Sequence, residues 1–151
     1  MVTLCGEPDW CILLWQHDMF KILARIDLGF NDPLAGNAFQ MSYRNVSTEL
    51  VVTLTGAGVY RWIEVNNAMN GFKVMHNQLS IEGEGAPNRP VQDNYTCHAW
   101  DSNNRLIVCN ADGDILVCDY KGLFLSHVKD SPFGNRIECI QASSHGLVVA
   151  G

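Results

Sequence analysis

Short apolar runs alternate with short polar turns from one end of the chain to the other. The runs have strand lengths rather than helix lengths. Residues 50–65, LVVTLTGAGVYRWIEV, are the clearest instance. Within them, residues 50–54 are apolar and β-branched, and Val51, Val52 and Thr53 favour a pleated backbone. Gly56 and Gly58 supply the positive φ that a tight hairpin turn needs. Residues 59–65 then run back, carrying Trp62. A lone hairpin cannot bury its apolar faces in water, so it requires neighbours.

The rest of the chain supplies near-copies. Residues 2–5 read as the end of a strand, 6–9 as a turn built on Pro8 and Asp9, and 11–16 as a strand with Trp15 near its end. Residues 21–28 alternate Ile22, Ala24, Ile26 and Leu28 with Lys21, Arg25 and Asp27. The absence of breakers would allow a helix there, but the period of two favours a strand. Residues 29–37 read as loop, 38–43 as a strand with Phe39, Met41 and Tyr43 on one face, and 44–49 as a polar turn. After the central hairpin come a loop at 66–71 and a strand at 72–79. Residues 82–94, EGEGAPNRPVQDN, are the longest polar stretch. They read as a surface loop rather than a linker, because the strand pattern resumes directly after them. Strands follow at 95–100, 105–110, 115–120 and 123–128, with turns at 101–104, 111–114 and 121–122. Residues 137–142 and 147–150 start the cycle again.

Aligned, the units show a repeat. Ile12-Leu13-Leu14-Trp15, Val59-Tyr60-Arg61-Trp62 and Ile115-Leu116-Val117-Cys118 occupy one slot. Leu50-Val51-Val52, Leu106-Ile107-Val108 and Leu147-Val148-Val149 occupy the slot before it. Four strands per unit at about 40–50 residues is the spacing of propeller blades, with the longer offsets due to loop insertions, chiefly residues 82–94. The expected fold is therefore all-β, with about three four-stranded blades. These fall at residues 1–29, 37–80 and 94–129, with the start of another at 136–151. A propeller closes with about four to eight blades, so the expectation is a partial propeller, not closed by itself, with unpaired strand edges.

Composition narrows the function classes. At 151 residues, 47% hydrophobic and 17% charged, the chain is globular rather than disordered and of single-domain size. The formal charge of −6 comes without a basic stripe, which argues against nucleic acid as a partner. No run approaches the ~20 apolar residues that span a bilayer, and no secretory signal pattern opens the chain. Four of the six cysteines lie inside apolar strands, where a free thiol packs as a small hydrophobe; this is preferred to a disulfide framework. The sequons at Asn45 and Asn94 carry little weight without a signal peptide.

Candidate chemistry is sparse. Cys97 and His98 are adjacent in a strand, point to opposite faces and cannot form a nucleophile–base pair with each other. The cysteines lack the close pairing of a zinc site. Gly56-Ala57-Gly58 lacks the third glycine and the helix of a phosphate loop, and Asp112 and Asp114 lack the remaining ligands of a calcium loop. No catalytic residue, cofactor or metal ligand is expected. Of the four tryptophans, Trp10 fits a partner anchor, because it sits in a turn beside Pro8 and Asp9; the others read as core. Two readings fit the acidic loop: a solvated insertion, or a docking element presenting Glu82, Glu84, Asn88 and Arg89.

Several motifs also carry a resemblance. They are Gly6-Glu7-Pro8-Asp9-Trp10, Leu13-Leu14-Trp15-Gln16, and Val52-Thr53-Leu54-Thr55-Gly56-Ala57-Gly58-Val59-Tyr60. The strongest stretch is Asn94-Tyr95-Thr96-Cys97-His98-Ala99-Trp100, followed by Arg105-Leu106-Ile107-Val108 and Asp112-Gly113-Asp114-Ile115-Leu116-Val117. In order and approximate spacing, these resemble WD40-type propellers, in particular the cilia- and flagella-associated protein 57 family. The related ciliary tether proteins 43 and 44 share the layout. The resemblance implies a WD40-like scaffold of the axoneme, part of a large hetero-complex in the cytoskeleton of a motile cilium or flagellum. Implied partners are inner-arm dyneins, radial-spoke and nexin–dynein regulatory components, and other axonemal WD40 or coiled-coil proteins, with no nucleic acid and no membrane. The pair that names the repeat is altered, to Trp15-Gln16, Trp62-Ile63 and Cys118-Asp119. Alternatives are a propeller enzyme with a site at the central channel, an intracellular adaptor unrelated to cilia, and a secreted glycosylated module. The equivalent slots hold Trp, Trp and Cys rather than convergent acids or histidines, which disfavours the enzyme.

Overall fold

Period-two patterning turns into thirteen strands among the described residues, every pairing antiparallel. The computed structural model describes residues 1–6, 8–28, 39–46, 49–56, 58–66, 71–76, 78–128 and 134–151. The first sheet runs β1 (Val2–Cys5), β2 (Cys11–Gln16), β3 (Lys21–Asp27) in chain order. The second runs β4 (Gln40–Val46), β5 (Glu49–Gly56), β6 (Val59–Asn66), β7 (Gly71–His76). The third runs β8 (Tyr95–Trp100), β9 (Leu106–Asn110), β10 (Ile115–Cys118), β11 (Phe124–His127). Finally β12 (Cys139–Ser143) pairs with β13 (Gly146–Ala150). There is no helix among the described residues, and no sheet closes on itself. The fold is all-β and partial propeller-like, as the repeat predicts, with sheets of three, four, four and two strands.

Three apolar clusters lie between successive sheets. The first joins Ile12, Leu14 and Leu28 to Val52, Leu54, Ile63 and Val65. The second joins Val51, Tyr60 and Trp62 to Tyr95, Leu106, Val108, Leu116 and Cys118. The third joins Cys97, Ile107, Cys109, Ile115 and Val117 to Ile137 and Ile140. Successive residues of β5, β9 and β10 therefore go to opposite clusters. This is why β9 and β10 are buried along their whole length and read as continuous apolar runs. Each fully buried Leu, Ile or Val contributes about 1.5–3 kcal/mol relative to exposure.

Strand β8 breaks the alternation once. Tyr95 opposes Asn110 and Cys97 opposes Cys109, so Thr96 is a bulge residue. The extra residue moves Cys97 into the third cluster and returns His98 to the face shared with Tyr95 and the second sheet.

The third sheet uses one turn design three times. Asp101 Oδ1 accepts from the amides of Asn103 and Arg105, both at 2.8 Å. Asn110 Oδ1 accepts from Asp112 at 3.1 Å and Asp114 at 2.8 Å. Asp119 Oδ1 accepts from Lys121 at 2.8 Å and Leu123 at 2.9 Å. In each turn the third residue after the acceptor is left-handed: Asn104 (φ 59°), Gly113 (φ 85°) and Gly122 (φ 77°). Asx side chains mimic a backbone turn in this way, and Asn and Gly tolerate the positive φ.

Several strand limits differ from the expectation. The strand expected at 38–43 is β4, which continues to Val46, and β5 already begins at Glu49. Arg44 and Asn45 are not a turn: they pair with Val51 and Leu50 through the backbone ladder, which accepts polar side chains at its outer end. Tyr43, expected on a shared face with Phe39 and Met41, is 72% exposed. Strand β7 ends at His76, and Leu79 leaves the sheet to join the second cluster. The loop expected at 29–37 and most of that at 66–71 lie outside the described residues.

Candidate interaction surface

The polar stretch after β7 forms no strand, but it is tied down along its length. Leu79 is buried in the second cluster, with Ile81 and Val91 packed against it. Gly83 (φ 99°) and Gly85 (φ 90°) let the chain turn between these feet. Gly85 passes over β11, close to the Leu125 carbonyl and Ser126. Arg89 Nη2 donates to Asp114 Oδ1 at 2.5 Å. Asp114 is 1% exposed and also bonds His127 Nε2 at 2.9 Å and accepts from Asn110 Nδ2 at 2.9 Å. Asn110 Nδ2 reaches back to the Gln92 carbonyl at 3.4 Å, and Ala111 N donates to the Asn94 carbonyl at 3.1 Å.

Of the residues singled out in sequence, four lie on this loop, and Asn88 and Arg89 share one depression. Glu82, Glu84 and Asn88 are exposed, and Arg89 is exposed at its flank while its guanidinium bonds the buried Asp114. Gly85, Ala86, Pro87, Asn88, Arg89 and His127 line a depression of about 450 Å³. The arrangement can present carboxylates and an amide to a partner from a backbone that is already ordered. Trp10 is elsewhere and is half-buried rather than projecting. Its ring lies 5.1 Å from that of Phe39, tilted by 57°, against the first cluster.

The polar site that single-strand reading missed lies between the second and third sheets. His98 is fully buried. Its Nε2 sits 2.5 Å from Ser42 Oγ and 2.9 Å from Thr53 Oγ1, and its Nδ1 sits 2.7 Å from Thr55 Oγ1. Trp100 Nε1 donates to Thr53 Oγ1 at 3.3 Å, and the His98 amide donates to Gln40 Oε1 at 2.8 Å. Burial lowers the His98 pKa to about 4, so the imidazole is neutral. The signal in sequence was Thr53 and Thr55: two hydroxyls on one face of an apolar strand need a buried polar partner.

A serine beside a histidine begins a nucleophile–base pair, but the third group here is a hydroxyl rather than a carboxylate. Cys97 and His98 do face apart, with Cys97 in the third cluster. At Asp101, burial alone would raise the carboxyl. The amides of Arg105 and Asn103 and the Arg105 guanidinium, at 2.7 Å, outweigh it and hold the group below the usual range. Among the described residues, no group of three or more His, Cys, Asp or Glu side chains is placed to hold a metal ion.

Compared with protein-family models and with curated proteins, the chain gives no match.

Proposed function

We propose that this chain is a non-catalytic protein-interaction module, a WD40-like scaffold in the axoneme of a motile cilium or flagellum. There it helps anchor or regulate inner dynein arms. The observation that carries the scaffold reading is the acidic loop. Its apolar feet enter the core between two sheets, while Glu82 and Glu84 stay in solvent. A loop held in this way offers contacts without a large ordering cost on binding. The axonemal assignment rests on the resemblance of the motif order to the cilia- and flagella-associated protein 57 family.

The enzyme alternative is weaker. One polar cluster with the right atoms for proton transfer is centred on His98, which has no exposed surface for a substrate to reach; the other, His127 with Asp114, borders the depression, and its carboxylate is already taken up by Arg89 and Asn110.

Proximity labelling from the tagged chain in motile ciliated cells tests the proposal. Enrichment of inner-arm dynein and radial-spoke chains over a cytosolic control is the expected result. Labelling confined to non-ciliary cytoplasm would leave an adaptor unrelated to cilia. A hydrolytic activity that disappears in Ser42→Ala would replace the scaffold reading with the enzyme.

A further inference from the structure

Two pairs of cysteines stand directly opposite each other on neighbouring antiparallel strands: Cys5 with Cys11 in β1–β2, and Cys97 with Cys109 in β8–β9. In each pair the two side chains lie on the same face of the ladder. The pairs differ in access. Cys97 and Cys109 are both buried, at 2% and 0% exposure, inside the third cluster. Cys11 is buried at 1%, but Cys5 reaches solvent at the end of β1.

The β1–β2 ladder fixes the geometry. Met1 and Trp15 exchange both backbone hydrogen bonds, at 3.2 and 2.8 Å. Alternation along the ladder then makes Thr3–Leu13 and Cys5–Cys11 hydrogen-bonded pairs as well. Such pairs hold their Cα atoms about 5.5 Å apart, inside the window that a disulfide spans.

From this juxtaposition we propose that Cys5 and Cys11 form a reversible thiol–disulfide modification site whose oxidation fastens the edge strand β1 to β2. The oxidant class is a low-molecular-weight disulfide such as glutathione disulfide. The Cys5 thiolate attacks one sulfur of the oxidant, forming a mixed disulfide and releasing one glutathione thiolate. Cys11 then loses its proton to solvent, and its sulfur displaces the second glutathione from Cys5. Two protein thiols are oxidised, and one glutathione disulfide is reduced to two glutathiones. Cys5 is the entry point because it is the accessible sulfur. Burial, followed by the neighbouring Cys5 side chain, raises the Cys11 thiol, so Cys11 acts second and only within the pair. β1 is the strand this would hold, since it pairs with β2 on one side and with no described strand on the other.

The test is incubation of the native chain with glutathione disulfide, followed by intact mass and peptide mapping. The expected peptide map shows a Cys5–Cys11 cross-link with the loss of two hydrogens from that pair, separate from any glutathione taken up by the exposed Cys139, and a return to the dithiol on addition of dithiothreitol. Cys97 and Cys109 remain alkylatable after unfolding. Cys11→Ser is expected to stop at one glutathione on Cys5, and Cys5→Ser to take up none at Cys11. Amide exchange in β1 should slow at least several-fold in the oxidised form. Thiols that stay free at both positions overturn the site. So does a glutathione on wild-type Cys5 that never resolves, or oxidation that falls equally on Cys97 and Cys109.

Discussion

His98 is held neutral by its burial, and this makes it a lever on stability. Its folded pKa is about 4, against about 6.5 for an unperturbed imidazole. Between those values the unfolded chain binds a proton that the folded chain refuses, so stability falls as pH is lowered from about 6.5 to about 4. The full loss is on the order of 3 kcal/mol. Urea midpoints at pH 7 and pH 5 read about 2 kcal/mol of it, and in His98→Gln this part of the pH slope should vanish.

Gly122 is a second single-residue constraint. It is left-handed (φ 77°), and a Cβ there would drive into the Trp62 indole and crowd the Tyr60 hydroxyl. That hydroxyl donates to the Gly122 carbonyl at 3.0 Å. Gly122→Ala is expected to cost about 2–5 kcal/mol, the sum of backbone strain and overpacking. Gly83→Ala, with open space around it, should cost only the backbone part, about 1–2 kcal/mol. Thermal unfolding of the two variants side by side separates the two contributions.

At the scale of the element, strands were legible where turn chemistry and side-chain period agreed. Residues 50–65 fold as the expected hairpin, with Gly56 opposite Val59. Residues 21–27 form β3 rather than a helix, because their charges alternate with apolar positions; Leu23, Ala24 and Ile26 pack against the first cluster, while Ile22, expected on the apolar face, is exposed. The end of β4 was not legible, since backbone pairing carries Arg44 and Asn45 where their side chains suggest a turn. The His98 site was hidden for a different reason. Its partners lie more than forty residues away in sequence, and the bulge at Thr96 shifts the phase of β8 in a way no periodicity shows. The candidate loop was recognised from composition, but its apolar feet were not, because Leu79 reads as the end of β7. The repeated Asx turns give an element-level prediction. Asp119→Ala removes the acceptor for two amides and should destabilise by about 1–2 kcal/mol in denaturant titrations.

For the molecule as a whole, each interior sheet has apolar contacts on both faces, so damage at one shared cluster reaches two sheets. Trp62 and Leu106 meet in the second cluster. Placing Asp at either would leave an unpaired charge in the core, and the cooperative transition should be lost in circular dichroism melts. A variant of either kind that melted like the wild type would contradict the stacking of the second sheet on the third.

The loop of residues 78–94 joins that core to the surface, and it is where the proposed function meets the fold. The most direct test is the double charge reversal Glu82→Lys with Glu84→Lys, assayed by retention on axonemes and by melting temperature together. Both side chains are exposed, so the account predicts an unchanged melting temperature and at least a tenfold loss of retention. Full retention with an intact fold would contradict it.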